Sequence, residues 1–198
     1  MGRPQQRSDQ EILAVARTCF LEHGPGVTTA VIARQAGVSQ ASLFQRFGSK
    51  EELMISALIP FDRPPWADRV EAGPRQGDLR AQIESMVAGL FAFVKEMSPC
   101  FNVLHAAGIP PERLFDRYQV PPPVQASRAV GEWFRKADRM GLARVENPDH
   151  VAMALMGALH GRAVLRHSLG KKLGGKDDRR YLATVIDLVW NTVKPESR

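Results

Sequence analysis

The segment 28–53, TTAVIARQAGVSQASLFQRFGSKEEL, constrains the fold of this sequence more than any other part of it. Two short runs with a helical spacing of apolar residues flank Gly37, and a serine-led third run follows them. Glycine adopts positive φ without a steric penalty, so Gly37 predicts a sharp turn between helices of about 29–36 and 39–47. Ala33, four positions earlier, is a small residue where two closely crossing helices need one. The pattern is typical of a helix-turn-helix.

Apolar anchors and capping residues support this reading. Ile32 precedes the turn, and Leu43 lies in the second helix, where apolar side chains must hold the pair together. Ser8 is followed three residues later by Glu11, a capping box that opens a helix before the motif. Ser49 stands in the same relation to Glu52 and predicts another helix after the motif.

The remaining sequence keeps the helical period and contains no run with convincing strand alternation, so we predict an all-α fold. The breaker-rich stretch 60–78, PFDRPPWADRVEAGPRQGD, marks a domain junction. We predict an N-terminal three-helix DNA-binding domain at 6–60, with its helix-turn-helix at about 29–47. A larger helical domain is predicted at 61–198.

Prolines and caps divide the second half into helices. A long helix with apolar residues from Leu79 onward is predicted to end at Pro99, since proline breaks helix interiors. Asn147 with Pro148 predicts the start of the next long helix, and Asp177 predicts the start of the last one.

Composition points to a globular protein with a polyanionic partner. The 198 residues are 44% hydrophobic, which is enough for a sizeable core, and the net charge is +6. Residues 1–50 contain six Lys or Arg against three Asp or Glu, so the N-terminal quarter is the more positive part. Basic charge alone is a weak indication of nucleic-acid binding, because many basic proteins never contact it.

Several classes of protein are disfavoured by the sequence. Cys19 and Cys100 lie in apolar surroundings and are expected to be core residues in a reducing cytoplasm. The N-terminus does not read as a secretory leader, and the apolar runs MVAGLFAFV and VAMALMGAL are shorter than a membrane span. No Walker loop, dinucleotide fingerprint, G-x-S-x-G or H-E-x-x-H motif is present. We therefore predict no enzyme activity, no cofactor and no membrane partner. His160 and His167 are too far apart to chelate one ion, so no metal site is predicted.

From about Ser8 to Leu53 the sequence resembles the tetracycline-repressor (TetR) family of bacterial transcription regulators. The resemblance is carried by a first helix ending in glycine, paired threonines, IARQAGVS, LFQRF and GSKEEL. It continues more weakly in GLARVENPDHVAMALMGALHG. The resemblance implies a cytoplasmic homodimer that binds a palindromic operator in double-stranded DNA and responds to a small molecule.

The second helix of the motif supplies the expected base contacts, because its N-terminal residues approach base edges in the major groove. The residues expected to face the bases are Ser39, Gln40, Ala41, Ser42 and Gln45. A glutamine can pair bidentately with adenine, and alanine can contact a thymine methyl group. The residues expected to contact phosphate are Thr28, Thr29, Arg46 and Lys50.

Two further DNA contacts have open alternatives. Phe44 stands where the family commonly has tyrosine, so it has no hydroxyl for a phosphate oxygen, and it is equally suited to the core. Arg3, in the arm MGRPQQR, suits an A·T-rich minor groove, but a frayed terminus is the more frequent case.

The larger domain carries the predicted effector pocket and dimer interface. The pocket candidates are apolar residues with two histidines, each also suited to ordinary core: Met86, Leu90, Phe93, Met97, Phe101, Leu104, His105, Trp133, Phe134, Met153, Met156 and His160. By resemblance, helices near 148–169 and 177–194 form a two-fold four-helix interface. Its candidate residues are Leu155, Gly157, Leu159, Gly161, Val185, Leu188 and Val189.

The predicted mechanism is a population shift in which the effector favours a dimer whose reading helices are wrongly spaced for the operator. Three alternatives compete with this prediction. They are a regulator without an effector or acting as an activator, a small all-helical enzyme with an incidental helix-turn-helix, and a membrane-surface protein.

Overall fold

The computed structural model describes residues 7–59, 63–116, 118–169 and 177–195, apart from the side chains of residues 167 and 168. This part of the chain forms ten helices and no strand, which confirms the predicted all-α fold. The helices are α1 (Asp9–His23), α2 (Thr29–Ala36), α3 (Gln40–Phe47), α4 (Lys50–Leu58), α5 (Ala67–Glu71), α6 (Leu79–Ala106), α7 (Pro111–Phe115), α8 (Pro122–Arg139), α9 (Pro148–Leu169) and α10 (Asp178–Val193).

The predicted helix starts are confirmed by their caps. Ser8 and Glu11 form a complete capping box at α1, in which each side chain bonds the other residue's backbone N–H. The Ser49 hydroxyl accepts from the Glu52 N–H at the start of α4. Asp177 accepts from two backbone N–H groups at the start of α10. Local sequence therefore sets where these helices begin.

Pro99 does not end α6, which corrects one prediction. The helix continues through Pro99 to Ala106, although an interior proline costs about 3 kcal/mol by removing a donor and clashing with the preceding turn. Cys100 and Leu104, just beyond it, are fully buried. Burying a leucine side chain contributes roughly 1.5–3 kcal/mol, so packing of this segment offsets the local penalty.

The junction stretch also contains a helix that the sequence did not predict. Five residues of it form α5, with Ala67 and Val70 buried and packed toward α8. Trp66 joins the same core and contacts the edge of Phe93. A helix this short has no clear periodic signal, so tertiary packing decides its existence.

Two compact units divide the chain, with one boundary inside α6. Unit 1 comprises residues 1–62 and 99–117, and its helices α1, α2, α3 and α4 pack on one another. Unit 2 comprises residues 63–98 and 118–198, where α8 packs on α9 and α5. The predicted boundary near residue 60 lies close to the first division, but residues 99–117 were placed in the second domain. Because compact packing of a unit does not test whether it folds independently, the domain assignment stays a prediction.

Helix α6 changes one expectation about membranes. It contains an 18-residue window with a mean hydropathy of 1.3, so by length and composition it is apolar enough to cross a bilayer. The run MVAGLFAFV, expected to be too short for a membrane span, lies within this longer apolar helix. Buried core residues on α6, among them Ile83, Val87 and Leu90, account for the same composition. The absence of a membrane partner stays a prediction.

Both cysteines are buried thiols, as expected for core residues. The Cys19 thiol lies 2.9 Å from the Gln35 side-chain oxygen. Burial raises the pKa of this thiol above its ordinary value, with the Glu22 charge as a smaller contribution. The Cys19 side chain is therefore a neutral packing element between α1 and α2.

Candidate nucleic-acid interface and associated surfaces

Helices α2 and α3 are joined by the turn that the sequence predicts. Gly37 has φ 67° and ψ 31°, the left-handed conformation, and the Val38 N–H donates to the Ala33 carbonyl at 3.0 Å. The Ser39 hydroxyl then accepts from the Ser42 N–H at 3.1 Å and caps α3. The turn thus ends one helix and starts the next within three residues.

The two helices are held together by a small apolar core. Ile32 and Ala33 of α2 are buried, and Leu43 is the buried residue of α3. The Thr28 hydroxyl accepts from the Val31 N–H and caps α2, so this predicted phosphate ligand also has a structural role. Burial of one α3 side chain fixes which face of that helix points away from the core.

The opposite side of α3 is exposed. Of the predicted base-contacting residues, Ser39, Gln40, Ala41 and Gln45 are exposed, and Ser42 is half-buried. Phe44 is 42% exposed, so the alternative of a core position does not hold for it. An exposed helical face of polar and small side chains is suited to a groove lined with base edges.

Thr29 does not resemble the other predicted phosphate ligands. Within the part of the chain that the structure describes, it alone among polar and charged residues is buried, at 8% exposed. Its hydroxyl oxygen accepts a 2.7 Å hydrogen bond from Nε2 of Gln40. The geometry therefore favours a contact inside the motif over a contact with phosphate.

Arg46 and Lys50 are tied to other parts of unit 1. The Arg46 guanidinium donates to the Arg7 carbonyl at 2.6 Å and lies 3.2 Å from the Asp9 carboxylate, with its side chain 22% exposed. Nζ of Lys50 donates to the Pro25 carbonyl at 2.6 Å. Both cations hold the start of α1 or the α1–α2 loop, so a phosphate contact would require either side chain to share or exchange its acceptor.

Arg34 is a candidate that the sequence analysis missed. It is exposed near the end of α2, and its side chain makes no hydrogen bond or ion pair with the described residues. Its position inside IARQAGVS was the available signal, since a cation in a helix beside the reading helix is suited to phosphate. Arg3 lies outside the described residues.

The predicted effector residues are distributed over both units. Phe101, Leu104 and His105 belong to unit 1, and His105 is exposed. Met153 is 65% exposed on α9. The unit 2 members packed in its core are Met86, Leu90, Phe93, Trp133, Phe134 and Met156. Met97 is buried, and half-buried His160 contacts the Met156 carbonyl through Nδ1. The effector site stays a prediction.

An open cleft of about 540 Å³ lies in unit 2. It shares Met86 and Trp133 with the predicted set, and its other lining residues are Arg69, Gly73, Arg75, Gln76, Asp78, Gln82 and Ser85. Six of the nine lining residues are polar or charged, and two belong to the predicted set, so the cleft does not correspond to the apolar pocket that the sequence predicts.

The predicted dimer residues fall into two groups. Those already buried by the chain's own core are Leu155, Leu159, Val185 and Val189. Gly157 and Gly161 are exposed, and a Cβ built on either would meet nothing within 4 Å. Leu188 of α10 is 65% exposed. Side chains that fill one subunit's core are not free to contact another, so the exposed group is the better candidate.

Large apolar side chains extend this exposed group. Those exposed on α9 are Met153, Val164, Leu165 and Leu169. With Gly157, Gly161 and Leu188 they form what we call the α9–α10 strip. Spacings of three, four, seven and eight residues place most of its α9 members on one side of that helix.

Comparisons with known proteins show a likeness in the segment that contains the helix-turn-helix. Residues 12–57 match the family model described as bacterial regulatory proteins, tetR family. Two relatives, each named HTH-type transcriptional repressor AcnR, come from Corynebacterium efficiens and Corynebacterium glutamicum, with 37% and 41% identity over 84 residues. The match covers 42% of this chain and 44% of each relative, so the chain spans less than half of their length.

The fold extends the likeness over the larger part of the chain. A crystal structure of a TetR-family transcriptional regulator from Mesorhizobium loti superposes with a TM-score of 0.74 at 17% identity. It covers 96% of this chain and 100% of the other. Residues 12–57 are thus similar to the tetR family of bacterial regulatory proteins, and the chain shares the fold of a TetR-family structure over most of its length.

Proposed function

We propose that this protein is a cytoplasmic transcriptional regulator, a repressor, that binds a palindromic operator as a homodimer and is released by a small apolar effector. The observation that carries the DNA-binding part is the exposed face of α3. Gln40, Ala41 and Gln45 are exposed on this face, while Leu43 anchors the helix to the helix-turn-helix core. The name of the AcnR relatives supports repression over activation.

The exposed side chains suggest how sequence would be read. Gln40 or Gln45 pairs with adenine through its amide, and Ala41 contacts a thymine methyl group. Each good bidentate pair discriminates by about 1–3 kcal/mol. Phe44, exposed and without a hydroxyl, contributes apolar contact in place of the phosphate contact that a tyrosine would make.

Homodimerisation is expected because one base-reading helix covers only a short stretch of DNA. A single α3 contacts few base pairs, so useful specificity comes from two copies on half-sites roughly 34–36 Å apart or at multiples of this spacing. The α9–α10 strip is the proposed contact surface, because it exposes apolar side chains beside two glycines that leave room for a second helix.

Effector response is proposed to act through α4. Arg113 of α7 donates to the carboxylates of Glu51 and Glu52, at 3.2 and 3.3 Å. These two acidic residues form the first turn of α4, which follows α3 after a two-residue turn. A shift of the segment 99–117 would therefore move α4, the helix that follows the base-reading helix α3. The effector would change the affinity for DNA by its differential binding to the shifted and unshifted states.

Selection of genomic fragments with the purified protein tests this function. The expected result is enrichment of fragments that share a palindrome with half-sites one helical turn, or a multiple of it, apart. Enrichment of DNA without a common sequence would contradict the operator proposal. A mixed set of apolar compounds is then screened by thermal shift and for release of that operator. A protein that binds the operator but responds to no compound supports a regulator without an effector.

A further inference from the structure

Thr29 of α2 contacts the reading helix through a single hydrogen bond. Its hydroxyl oxygen accepts from Nε2 of Gln40 at 2.7 Å. The hydroxyl is buried and Gln40 is exposed, so the amide nitrogen faces the motif core at the rim of the exposed face. We propose that Thr29 is a specificity-determining positioning residue that orients the Gln40 amide for base readout. This inference rests on the proposed function.

The chemistry of the amide supports that role. A glutamine amide has two N–H donors and one oxygen acceptor, and Thr29 takes one of the donors. One N–H and Oε1 remain, which are the donor and acceptor that a bidentate contact with adenine requires. An anchored nitrogen also fixes which end of the amide is the acceptor. Adenine at the contacted position is therefore the expected preference.

The position of Gln40 on α3 also supports the proposed role of Thr29. Gln40 is the first residue of α3, and first-turn residues of a reading helix approach base edges. Gln45 on the same helix is also exposed, and its side chain makes no hydrogen bond with the described residues. Glutamine loses much rotamer freedom when it is fixed, and a side chain ordered before binding loses less on contact with DNA. Gln45 is thus an internal control for Gln40.

The main test uses Thr29→Val, which removes the hydroxyl and keeps the shape of the side chain. After selection of a wild-type operator, binding is measured to that site and to all single-base variants of one half-site, for wild type, Thr29→Val, Thr29→Ser and Gln40→Ala. We expect Thr29→Val to lower discrimination about three- to tenfold at the base pair that Gln40→Ala also relaxes, the range that ordering one side chain contributes. Thr29→Ser retains the hydroxyl and should restore discrimination.

The double variant separates positioning from a general effect on folding. Thr29→Val should add no further loss of discrimination in the Gln40→Ala background. Additive losses, an equal loss at every base pair, or stronger discrimination by Thr29→Val would each overturn the inference. If Gln40→Ala relaxes no position, the inference also fails, although the operator stands. A wild-type protein that enriches no common sequence would instead overturn the proposed function itself.

A measurement on the free wild-type protein does not depend on any variant folding. The side-chain amide ¹⁵N order parameter of Gln40 is expected to exceed that of Gln45, because only the Gln40 amide is anchored to Thr29. Equal order at the two amides would overturn the inference. Should Thr29→Val fail to fold, Thr29→Ala removes the same hydroxyl and is used in its place.

Discussion

At the scale of single residues, the turn before α3 depends on the left-handed backbone of Gly37. A Cβ built there meets nothing within 4 Å, so the conformation alone requires glycine. We expect Gly37→Ala to lower the free energy of unfolding by about 1–2 kcal/mol, measured by urea denaturation. Gly26 has equal space without a positive φ, so Gly26→Ala is the matched control. Equal effects of the two substitutions would contradict a conformational cause.

The α1 capping box predicts a dependence on pH. Hydrogen bonds from the Ser8 backbone N–H, then from its hydroxyl, hold the pKa of Glu11 below its ordinary value, with a further contribution from Arg7. A lowered pKa means that the folded state favours the carboxylate. Its contribution to stability is present above the ordinary pKa and is lost as the pH falls through the folded pKa. An NMR titration should show the Glu11 pKa moving part of the way toward its ordinary value in Ser8→Ala, because this variant removes the hydroxyl bond and keeps the backbone N–H bond. No movement of that pKa would show that the Ser8 hydroxyl does not contribute to the shift.

The partners of Arg46 and Lys50 show what sequence reasoning misses at this scale. Both were predicted as phosphate ligands from their positions beside α3. Their acceptors, on Arg7, Asp9 and Pro25, lie 25 to 39 residues away in sequence. No local pattern indicates such contacts, because they exist only once α1 and the following loop have packed on the motif.

At the scale of elements, a glycine sets how closely α8 approaches α9. A Cβ on Gly131 would lie 2.6 Å from Oδ1 of Asp149, whose carboxylate accepts from Arg135 at 3.0 Å. We expect Gly131→Ala to lower the free energy of unfolding by about 1 kcal/mol. This is the low end of the range for overpacking, because the nearest group is the short surface side chain of Asp149. Chemical denaturation measures this change.

Gly89 in α6 provides the control for that substitution. Its Cβ would lie 3.7 Å from Trp66, an ordinary contact, so Gly89→Ala should raise stability by about 0.5–1 kcal/mol through helix propensity alone. In an Asp149→Ala background, Gly131→Ala should behave like Gly89→Ala. If Gly131→Ala still lowers stability without the Asp149 carboxylate, the steric conflict of the new Cβ is with another group.

At the scale of the whole molecule, self-association is expected to depend on the α9–α10 strip. Gly157→Leu adds a side chain where this chain has open space, so the subunit should keep its fold. Two such side chains across a two-fold axis would overpack a close helix contact. We expect dimer affinity to fall by at least roughly tenfold, or about 1.4 kcal/mol, in analytical ultracentrifugation. Ala92→Leu, on an exposed position of α6, is the control and should leave association unchanged. Loss of association in both variants would argue against this surface.

The proposed phosphate contact of Lys50 is tested on the complex of the whole protein with DNA. Lys50→Ala should weaken binding to all sequences alike and reduce the salt slope by about one for each phosphate that is no longer neutralised. Arg128→Ala removes one positive charge from an exposed position on α8 and is the charge-matched control. Equal weakening by both variants would indicate a general charge effect. Unfolding curves show whether removing the bond to the Pro25 carbonyl destabilises the Lys50 variant.

Local sequence sets where most helices begin and where the turn between α2 and α3 lies, because caps and positive-φ glycines act within a few residues. Ser8, Gly37, Ser49 and Asp177 are examples. Tertiary packing, in contrast, carries α6 through Pro99 and places Leu155 and Val185 in the core instead of on an outer surface. It also placed the Thr29 hydroxyl on the Gln40 amide. Each of these depends on which distant side chains pack together, and packing free energy outweighs the local preferences that a sequence pattern expresses.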